Sequence, residues 1–252
     1  MRMDATPPDY ENLYIYPEDV TEEYHIGEAP PQEDDDEIES KISSEHPMEE
    51  LEEPNLLYGH HQGHVYALAM RGSWLLSGGG DDKAFLVDST TGTVQHSLQG
   101  HSDSIVAVGF NFDGTLAASG GYDGMVRVWR VDTGQLVQTL DGPSQEIEWL
   151  QWHKKGNVIL AGSSDGTCWM WLAPSGECMH VFAGHEDSVS CGTFTGSGKA
   201  ILTGSIDCTV RMWNPKSGEC MHVYRGHGFH EGPICTITVH PSVSTENSII
   251  LS

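Results

Sequence analysis

Short runs of alternating apolar and polar residues recur between residue 58 and residue 252, and turns rich in Gly and Asp separate them. Alternation with a period of two is typical of a β-strand that buries one face. Asp113-Gly114 and Asp132-Thr133-Gly134 are two of the turns, and their residue types favour tight hairpins. The clearest unit has four such runs: Ile105–Phe110, Leu116–Gly120, Met125–Val131 and Leu136–Leu140. The pattern predicts an all-β protein made of short antiparallel strands.

Four aspartates stand at a constant spacing of 42 residues: Asp81, Asp123, Asp165 and Asp207. A period of about 40–45 residues with four strands in each unit is the signature of β-propeller blades. We therefore predict a propeller of about four complete blades and the start of a fifth, with approximate bounds 58–99, 100–141, 142–183, 184–225 and 226–252. Because a half-finished blade would leave a sheet edge unpaired, we expect the chain to be part of a larger propeller.

Residues 1–57 differ from the repeats in composition. They hold 19 acidic residues against Arg2 and Lys41, together with seven prolines. Such a segment cannot bury enough apolar surface to offset the entropy lost on ordering, which predicts a disordered acidic tail. Two interpretations are open: the tail only adds solvated negative charge, or it captures a basic partner electrostatically. The candidate partner contacts in the tail are Asp34, Asp35, Asp36 and Glu37.

The chain as a whole has a formal net charge of −25. Nucleic acids and anionic membranes are bound by basic groups, so the acid excess argues against both and favours basic protein partners. No apolar run approaches the roughly 18 residues of a membrane span, and the opening MRMDATPPDY has no apolar core typical of a secretory signal. The six cysteines form no C-x-x-C pair, which favours reduced thiols and predicts a cytoplasmic protein, with the nucleus as the alternative.

Gly-His pairs and tryptophans recur at matching places in these units and resemble WD40 repeats. The pairs are Gly63-His64, Gly100-His101, Gly184-His185 and Gly226-His227, and the tryptophans are Trp129, Trp171 and Trp213. The resemblance implies that a His, a Ser or Thr, the turn Asp and the Trp of each blade form a buried hydrogen-bonded chain. In such a chain the hydroxyl and imidazole groups supply the donors that a buried carboxylate needs.

Carried over by position, this resemblance assigns such a chain to the blades unevenly. The second blade has His101, Ser119, Asp123 and Trp129, and the fourth has His185, Thr203, Asp207 and Trp213. The first has His64, Ser77 and Asp81. Val87 stands at the Trp position of the first blade. The third keeps only Asp165 and Trp171, because Pro143 and Ala161 replace the His and the Ser. We expect the first and third blades to be less rigid than the others.

Longer strings are similar to the angio-associated migratory cell protein family. They are GGGDDKAF (Gly78–Phe85), EWLQWH (Glu148–His153), GTCWMW (Gly166–Trp171) and LTGSIDC (Leu202–Cys208). An acidic tail ahead of the first repeat is a further similarity. The resemblance implies a cytoplasmic WD40 propeller with more blades than are present here. It implies a role in cell migration for animal members and, for fungal relatives, chaperoning of a newly made basic ribosomal protein.

Two patterns suggest chemistry, and each has a simpler structural interpretation. His60, His61 and His64 are potential metal ligands, but no Cys or second His pair lies at ligand spacing. Asp, His and Ser recur together in the blades, yet a hydrolase needs one nucleophile rather than several copies in scaffold turns. The sequence has no G-x-S-x-G elbow, P-loop or dinucleotide fingerprint. We therefore predict a non-enzymatic protein without catalytic, metal-binding or cofactor-binding residues and without a cofactor.

Tryptophans crowd the third unit at Trp149, Trp152, Trp169 and Trp171. Packing between blades is one interpretation of them. The other is that Trp149 or Trp152 is an exposed aromatic anchor, the kind of residue that dominates the energy of protein interfaces. Both are therefore candidate partner contacts.

The sequence thus favours a protein–protein interaction scaffold or escort for a basic protein, which by resemblance would be a ribosomal protein during ribosome assembly. A signalling or cell-migration scaffold is the alternative. A substrate receptor of a ubiquitin ligase is the third option, but Trp129-Arg130 and Trp213-Asn214 lack the Asp of the W-D-x-R ending that such receptors often have. A completed propeller of this kind is expected to be a monomer.

Overall fold

The computed structural model describes residues 59–196, 198–225, 232–239 and 249–251. The predicted acidic tail, with Asp34, Asp35, Asp36 and Glu37, lies outside the described residues, as does the Gly226-His227 pair. The described residues form β-strands and turns, and none of them belongs to a helix that would reach across a lipid bilayer.

Four sheets of four strands follow one another along the chain, and each is one blade. Blade 1 contains β1 (Val65–Arg71), β2 (Trp74–Gly79), β3 (Lys83–Asp88) and β4 (Val94–Gln99). Blade 2 contains β5 (Ile105–Phe110), β6 (Leu116–Gly121), β7 (Val126–Arg130) and β8 (Leu136–Leu140). Blade 3 contains β9 (Ile147–Trp152), β10 (Val158–Ser163), β11 (Thr167–Leu172) and β12 (Glu177–Ala183). Blade 4 contains β13 (Cys191–Phe194), β14 (Ile201–Gly204), β15 (Val210–Trp213) and β16 (Cys220–Tyr224).

A fifth, two-stranded sheet pairs β17 (Ile237–Val239) with β18 (Ile249–Leu251). In each complete blade the strands are antiparallel and keep their chain order, so the first and fourth strands are the sheet edges. The first strands of successive blades contact one another, from β1 through β5, β9 and β13 to β17. The blades are therefore arranged side by side around a line of inner strands, and the predicted all-β propeller fold is confirmed.

The apolar core lies mainly between neighbouring blades, because each sheet buries side chains on both faces. Blades 1 and 2 share a cluster that includes Leu76, Leu86, Leu98, Ile105, Ala117 and Trp129. Blades 3 and 4 share another that includes Leu160, Met170, Phe182, Val189, Ile201 and Trp213. Alternation therefore decides which neighbouring blade a side chain packs against, rather than whether it is buried.

Antiparallel strands place the connections at two opposite ends of the blades. The turns between second and third strands and the connections from one blade to the next lie at one end, which also carries Asp81, Asp123, Asp165 and Asp207. We call it the Asp end. The turns between first and second strands and between third and fourth strands lie at the other end, which we call the hairpin end.

Candidate functional site

Blade 2 contains a continuous buried chain of polar side chains that begins at the Asp end. His101 donates from Nδ1 to Asp123 Oδ1 at 2.9 Å, because the carboxylate can only accept, and Ser119 Oγ lies 2.8 Å from His101 Nε2. Trp129 Nε1 donates to Ser119 Oγ at 2.9 Å. Arg127 Nη1 donates to Asp123 Oδ2 at 2.8 Å. The structure thus brings together all four residues that the sequence placed in this chain.

The surroundings of Asp123 stabilise its charged form. Burial alone would raise the pKa of this carboxyl, but the hydrogen bond and the charge of His101, the Ser102 amide and Arg127 hold its pKa well below its usual range. The Ser119 hydroxyl is fully buried, so it cannot meet a substrate in solution. The arrangement resembles a catalytic triad in composition, yet it acts as a set of mutually satisfied core groups.

Blade 4 repeats this geometry with a threonine in place of the serine. The His185 Nδ1 to Asp207 Oδ2 distance is 2.9 Å, and Thr203 Oγ1 lies 2.8 Å from His185 Nε2. Trp213 Nε1 donates to Thr203 Oγ1 at 2.7 Å. Although burial raises the pKa of Asp207, donors that include Thr209, the Glu186 amide and His185 lower it to about 2.

Blade 1 corrects the sequence prediction, because His61 rather than His64 completes its chain. His61 Nδ1 lies 2.7 Å from Asp81 Oδ1, and His61 Nε2 lies 2.8 Å from Ser77 Oγ. The His64 carbonyl instead accepts from the Gly80 amide at 2.8 Å. The Ser104 carbonyl has the same role in blade 2, so His64 is the counterpart of Ser104 and not of His101.

The cause of this shift is the length of the first hairpin. The separation from the start of β1 to the start of β2 is two residues shorter than that from β5 to β6. The His and Ser of the polar chain are accordingly 16 residues apart in blade 1 and 18 apart in blade 2. Counting back from Ser77 with the shorter hairpin would have identified His61, whereas the Gly63-His64 dipeptide pointed to the wrong residue.

Blade 3 keeps its turn aspartate but satisfies it differently. Asp165 accepts from the Ser144 amide at 2.8 Å, from Ser144 Oγ at 3.0 Å and from the Thr167 amide at 2.9 Å. Burial raises the pKa of Asp165, and its bonds to Thr167 and Ser144 outweigh that effect and lower it. Trp171 is buried and stacks on Trp169 with ring centroids 5.8 Å apart.

The two candidate anchors, Trp149 and Trp152, both lie between blades. Trp152 is only 7% exposed, and its Nε1 donates to the Gly109 carbonyl of blade 2 at 3.1 Å. Trp149 is half-buried, and its Nε1 donates to the Val189 carbonyl at 2.8 Å. The interpretation of Trp152 as an exposed partner contact is therefore wrong, and Trp149 is joined to the next blade instead of standing free.

The histidine cluster near residue 60 is not arranged as a metal site. His61 is engaged by Asp81 and Ser77, and no group of three or more His, Cys, Asp or Glu side chains with ligand geometry occurs in the part of the chain that the structure describes. His60 packs near the Phe85 ring with centroids 6.2 Å apart. The three histidines therefore have different surroundings and do not converge on one point.

Charge is segregated between the two ends of the blades, which the sequence totals did not reveal. Within residues 59–196, 198–225 and 232–239, the connections at the Asp end carry Arg225 as their one Lys or Arg and ten carboxylates: Asp81, Asp82, Asp103, Asp123, Asp141, Glu146, Asp165, Glu186, Asp187 and Asp207. The connections at the hairpin end carry three carboxylates, Asp113, Asp132 and Glu219, and four lysines, Lys154, Lys155, Lys199 and Lys216. The acidity of the repeats is thus concentrated at one end.

A cleft opens at the Asp end between blades 2 and 3, and the sequence analysis missed it. Its volume is about 460 Å³, and its walls include Tyr122, Asp123, Pro143 and Glu146. Tyr122 is 44% exposed although it follows a fully buried strand. The signal was present in the repeat itself, because the counterparts of Tyr122 in the other turns are Gly80, Ser164 and Ile206. A lone aromatic residue at such a turn position is not required by the fold.

Comparison with known proteins supports the repeat assignment. The family described as "WD domain, G-beta repeat" (WD40) matches residues 92–130, 134–171 and 176–214. The chain contains three consecutive WD40 repeats. The first match runs from just before β4 to the end of β7, so a WD40 sequence repeat joins the outer strand of one blade to the first three strands of the next. WD40 repeats generally form non-enzymatic scaffolds for protein–protein interaction.

One curated relative adds a local similarity. A 42-residue stretch is 55% identical to an uncharacterized WD repeat-containing protein of Schizosaccharomyces pombe (strain 972 / ATCC 24843). The match covers 17% of this chain and 10% of that protein, so the chain spans about a tenth of the relative that it matches. The similarity to the angio-associated migratory cell protein family stays a prediction from the sequence strings.

Proposed function

We propose that the Asp end of the WD40 blades binds a basic segment of a partner protein, and that the chain acts as a scaffold or escort without reaction chemistry of its own. The concentration of ten carboxylates against one basic residue, Arg225, in the described connections of this end carries the proposal. A predominantly acidic surface raises the association rate of positively charged partners and disfavours partners of like charge.

The partner class is proposed from charge and from the sequence resemblance together. Ribosomal proteins are basic, and the angio-associated migratory cell protein resemblance implies that such a protein is held before it joins the ribosome. The acidic segment at 1–57, with Asp34, Asp35, Asp36 and Glu37, would extend the same negative field, so both regions favour the same class of partner. Cytoplasmic localisation is part of this proposal.

A signalling or migration scaffold is the second candidate, and a different surface favours it. The outer strands β12 and β16 expose apolar side chains at equivalent positions: Met179 and Val181 in blade 3, and Met221 and Val223 in blade 4. The corresponding residues of blade 1, Gln95 and Ser97, are polar. A partner held on this apolar rim would bind by surface burial, with little dependence on salt.

The deciding experiment is a pull-down from cell lysate with the 252-residue chain, at about 50 mM and about 300 mM salt, with identification of the captured proteins by mass spectrometry. The escort proposal expects basic ribosomal proteins that are depleted at high salt. Capture of signalling proteins that is insensitive to salt would favour the second candidate instead.

Matched charge variants locate the binding end. Glu186→Gln with Asp187→Asn removes two charges from the Asp end, and Asp132→Asn with Glu219→Gln removes two from the hairpin end. All four side chains are exposed, so the fold should tolerate both pairs. The first pair should weaken capture and the second should not. Equal effects of the two pairs would contradict binding at the Asp end.

A further inference from the structure

The Tyr122 cleft lies where two blades meet and has a mixed wall. Tyr122 and Asp123 come from the β6–β7 turn of blade 2, and Pro143 and Glu146 come from the connection that enters blade 3. The cleft therefore combines an aromatic ring and a proline with the Glu146 carboxylate, whereas the Asp123 carboxylate is already held by His101 and Arg127. Such a combination suits a ligand that is flat and apolar over its surface and positively charged at its edge.

The residues that shape this cleft depart from the repeat. Glu146 has Ser104 and Ser188 as its counterparts in blades 2 and 4, so the fold does not require a carboxylate there. Glu148, two residues further along, is likewise replaced by Val106 and Ser190. Tyr122, Glu146 and Glu148 are therefore three exposed side chains near one another, and the sister blades fold without them.

Three carboxylates at or beside the cleft, Glu146, Glu148 and Asp103, have no ion-pair partner among the described residues. Ser164 Oγ donates to Glu146 Oε2 at 2.6 Å, which fixes the position of that carboxylate. Burial raises the pKa of Glu148, and the neighbouring Glu146 raises it further. A like-charge pair of this kind is relieved by a cation that arrives from outside.

Tyr122 is part of the same electrostatic group. Burial raises the pKa of the Tyr122 phenol, and Glu148, Tyr66, Glu146 and Asp103 add to the rise in that order. Tyr122 is 44% exposed, so its side chain is accessible to a cation from outside. Tyr66 in β1 is likewise half exposed.

We propose that the Tyr122 cleft binds an arginine side chain of the partner's basic segment, with the guanidinium over the Tyr122 ring and its N–H groups directed at Glu146 and its neighbouring carboxylates. A planar guanidinium stacks on aromatic rings and binds carboxylates through several donors at once, whereas a lysine ammonium is a strongly hydrated point charge. The inference rests on the proposed function and names the anchor within the acidic surface.

The test uses the full chain and two short Gly/Ser peptides that carry Arg or Lys at the same positions, with affinities measured by fluorescence anisotropy. Wild-type protein should bind the Arg peptide roughly two- to fivefold more tightly than the Lys peptide. Tyr122→Ser should remove that preference, because the ring is lost, and Glu146→Ser should weaken both peptides. Both substitutions introduce the residue that a sister blade carries at that position, so the fold should tolerate them.

Glu186→Gln with Asp187→Asn is the control at the same end. It lowers the general negative field and should weaken both peptides equally while leaving the Arg preference intact. Hydrogen exchange provides a second readout, and the Arg peptide should protect residues 122–125 and 141–146.

The outcomes separate the two proposals. Salt-dependent binding of both peptides with no Arg preference, or a preference that survives Tyr122→Ser, would overturn the arginine cleft and leave the acidic surface standing. Failure of wild-type protein to bind either peptide at low salt would overturn the proposed function as well.

Discussion

Blades 2 and 3 have the same strand order and the same turn aspartate, yet they are stabilised in different ways. In blade 2 a chain of hydrogen bonds runs from Asp123 through His101 and Ser119 to Trp129. In blade 3 the corresponding His and Ser are Pro143 and Ala161, and aromatic rings occupy the region. The Trp169 ring lies so close to Gly142 that a side chain there would overlap it, whereas Arg127 is the counterpart of Trp169 in blade 2.

The difference shows that the backbone of a blade does not depend on one set of polar groups. A buried carboxylate must have donors, but they can be an imidazole and a guanidinium, as in blade 2, or amides and small hydroxyls, as in blade 3. Because blade 3 satisfies its aspartate with amides and hydroxyls, it needs no histidine at position 143. Pro143 occupies that position and lines one wall of the cleft. The connection that enters blade 3 therefore lacks the histidine of the polar chain and forms part of the cleft instead.

The comparison predicts its largest effect at the turn aspartates. Asp123→Ala should destabilise the protein by about 2–4 kcal/mol, because it leaves buried His101 and Arg127 without their acceptor. Asp165→Ala is the matched change in blade 3 and should cost about 1 kcal/mol, since its donors are mainly amides and hydroxyls near water. Denaturant unfolding measures both values, and equal losses would show that the two blades depend on their aspartates alike.

Acid should act on the polar chain of blade 4 through both its carboxylate and its imidazole. The folded pKa of Asp207 is about 2, below its unfolded value, so its contribution is full above about pH 4 and is lost as the pH falls toward 2. Screening by solvent should reduce this contribution to about 1–2 kcal/mol. Burial lowers the pKa of His185 below its ordinary value of 6.5, and Arg211 adds to the lowering, although Asp207 opposes it.

His185 therefore adds stability that is present above about pH 6.5 and is lost as the pH falls through the folded pKa. Blade 4 should begin to weaken in mildly acidic solution, and blade 3 should respond as well, because burial also lowers the pKa of His153 beside β10. Hydrogen exchange of β14 and β10, corrected for the intrinsic pH dependence of exchange, measures the two blades separately. His185→Gln is the control, and an unchanged acid response of β14 in that variant would refute the assignment.

Rebuilding the polar chain in blade 3 sharpens the comparison further. Ala161→Ser alone should destabilise by about 1 kcal/mol, because it buries a hydroxyl without a full set of partners. Pro143→His added to it supplies the missing imidazole, so the double variant should be more stable than the sum of the single changes by about 1 kcal/mol. A double-mutant cycle measures the coupling. Strict additivity would show that the Trp169 ring already fills the space of the imidazole.

The smallest expected effect concerns the turn residue that follows each aspartate. Gly124 has a φ of 74°, and its counterpart in blade 4 is Cys208 with a φ of 65°. A residue with a Cβ is strained in this left-handed region, so Cys208→Gly should stabilise blade 4 by about 0.5–1 kcal/mol. Gly124→Ala should act in the opposite direction, because the added Cβ would lie 2.9 Å from the Gln145 carbonyl oxygen. Thermal unfolding compares the two, and loss of stability in Cys208→Gly would contradict the strain.

The sequence was sufficient for the fold because two independent signals agreed. Alternation located the strands, with Ile105–Phe110 and Leu136–Leu140 matching β5 and β8 to the residue, and the 42-residue spacing located the blades. His61 was missed because the dipeptide motif ignored the shorter first hairpin. Trp152 was misassigned because alternation shows which face of a strand a residue takes, and in a propeller both faces are covered by neighbouring blades.

The cleft escaped the sequence analysis for a different reason. Its walls come from connections of two successive blades, and only the packing of the sheets brings Tyr122 and Glu146 into one place. A comparison of equivalent positions in the four blades identifies Tyr122 and Glu146, whereas a search for motifs does not. In a repeat protein, an exposed residue that its sisters lack marks a position that the scaffold leaves free for function.

The outer strands β12 and β16 carry the same Cys-Met-His-Val string and pair with their neighbours in the same register, each with an irregularity at the matching place. During folding, either strand can therefore satisfy the free edge of β11 or of β15. Native pairing closes a loop of only a few residues, whereas exchange requires a loop that spans most of a blade, so chain entropy favours the native partner. The short connection 173–176 thus ensures that β12, and not β16, pairs with β11. A longer connection would weaken this preference. Strand exchange between blades, or between two copies of the chain, would then be the main route to misfolding.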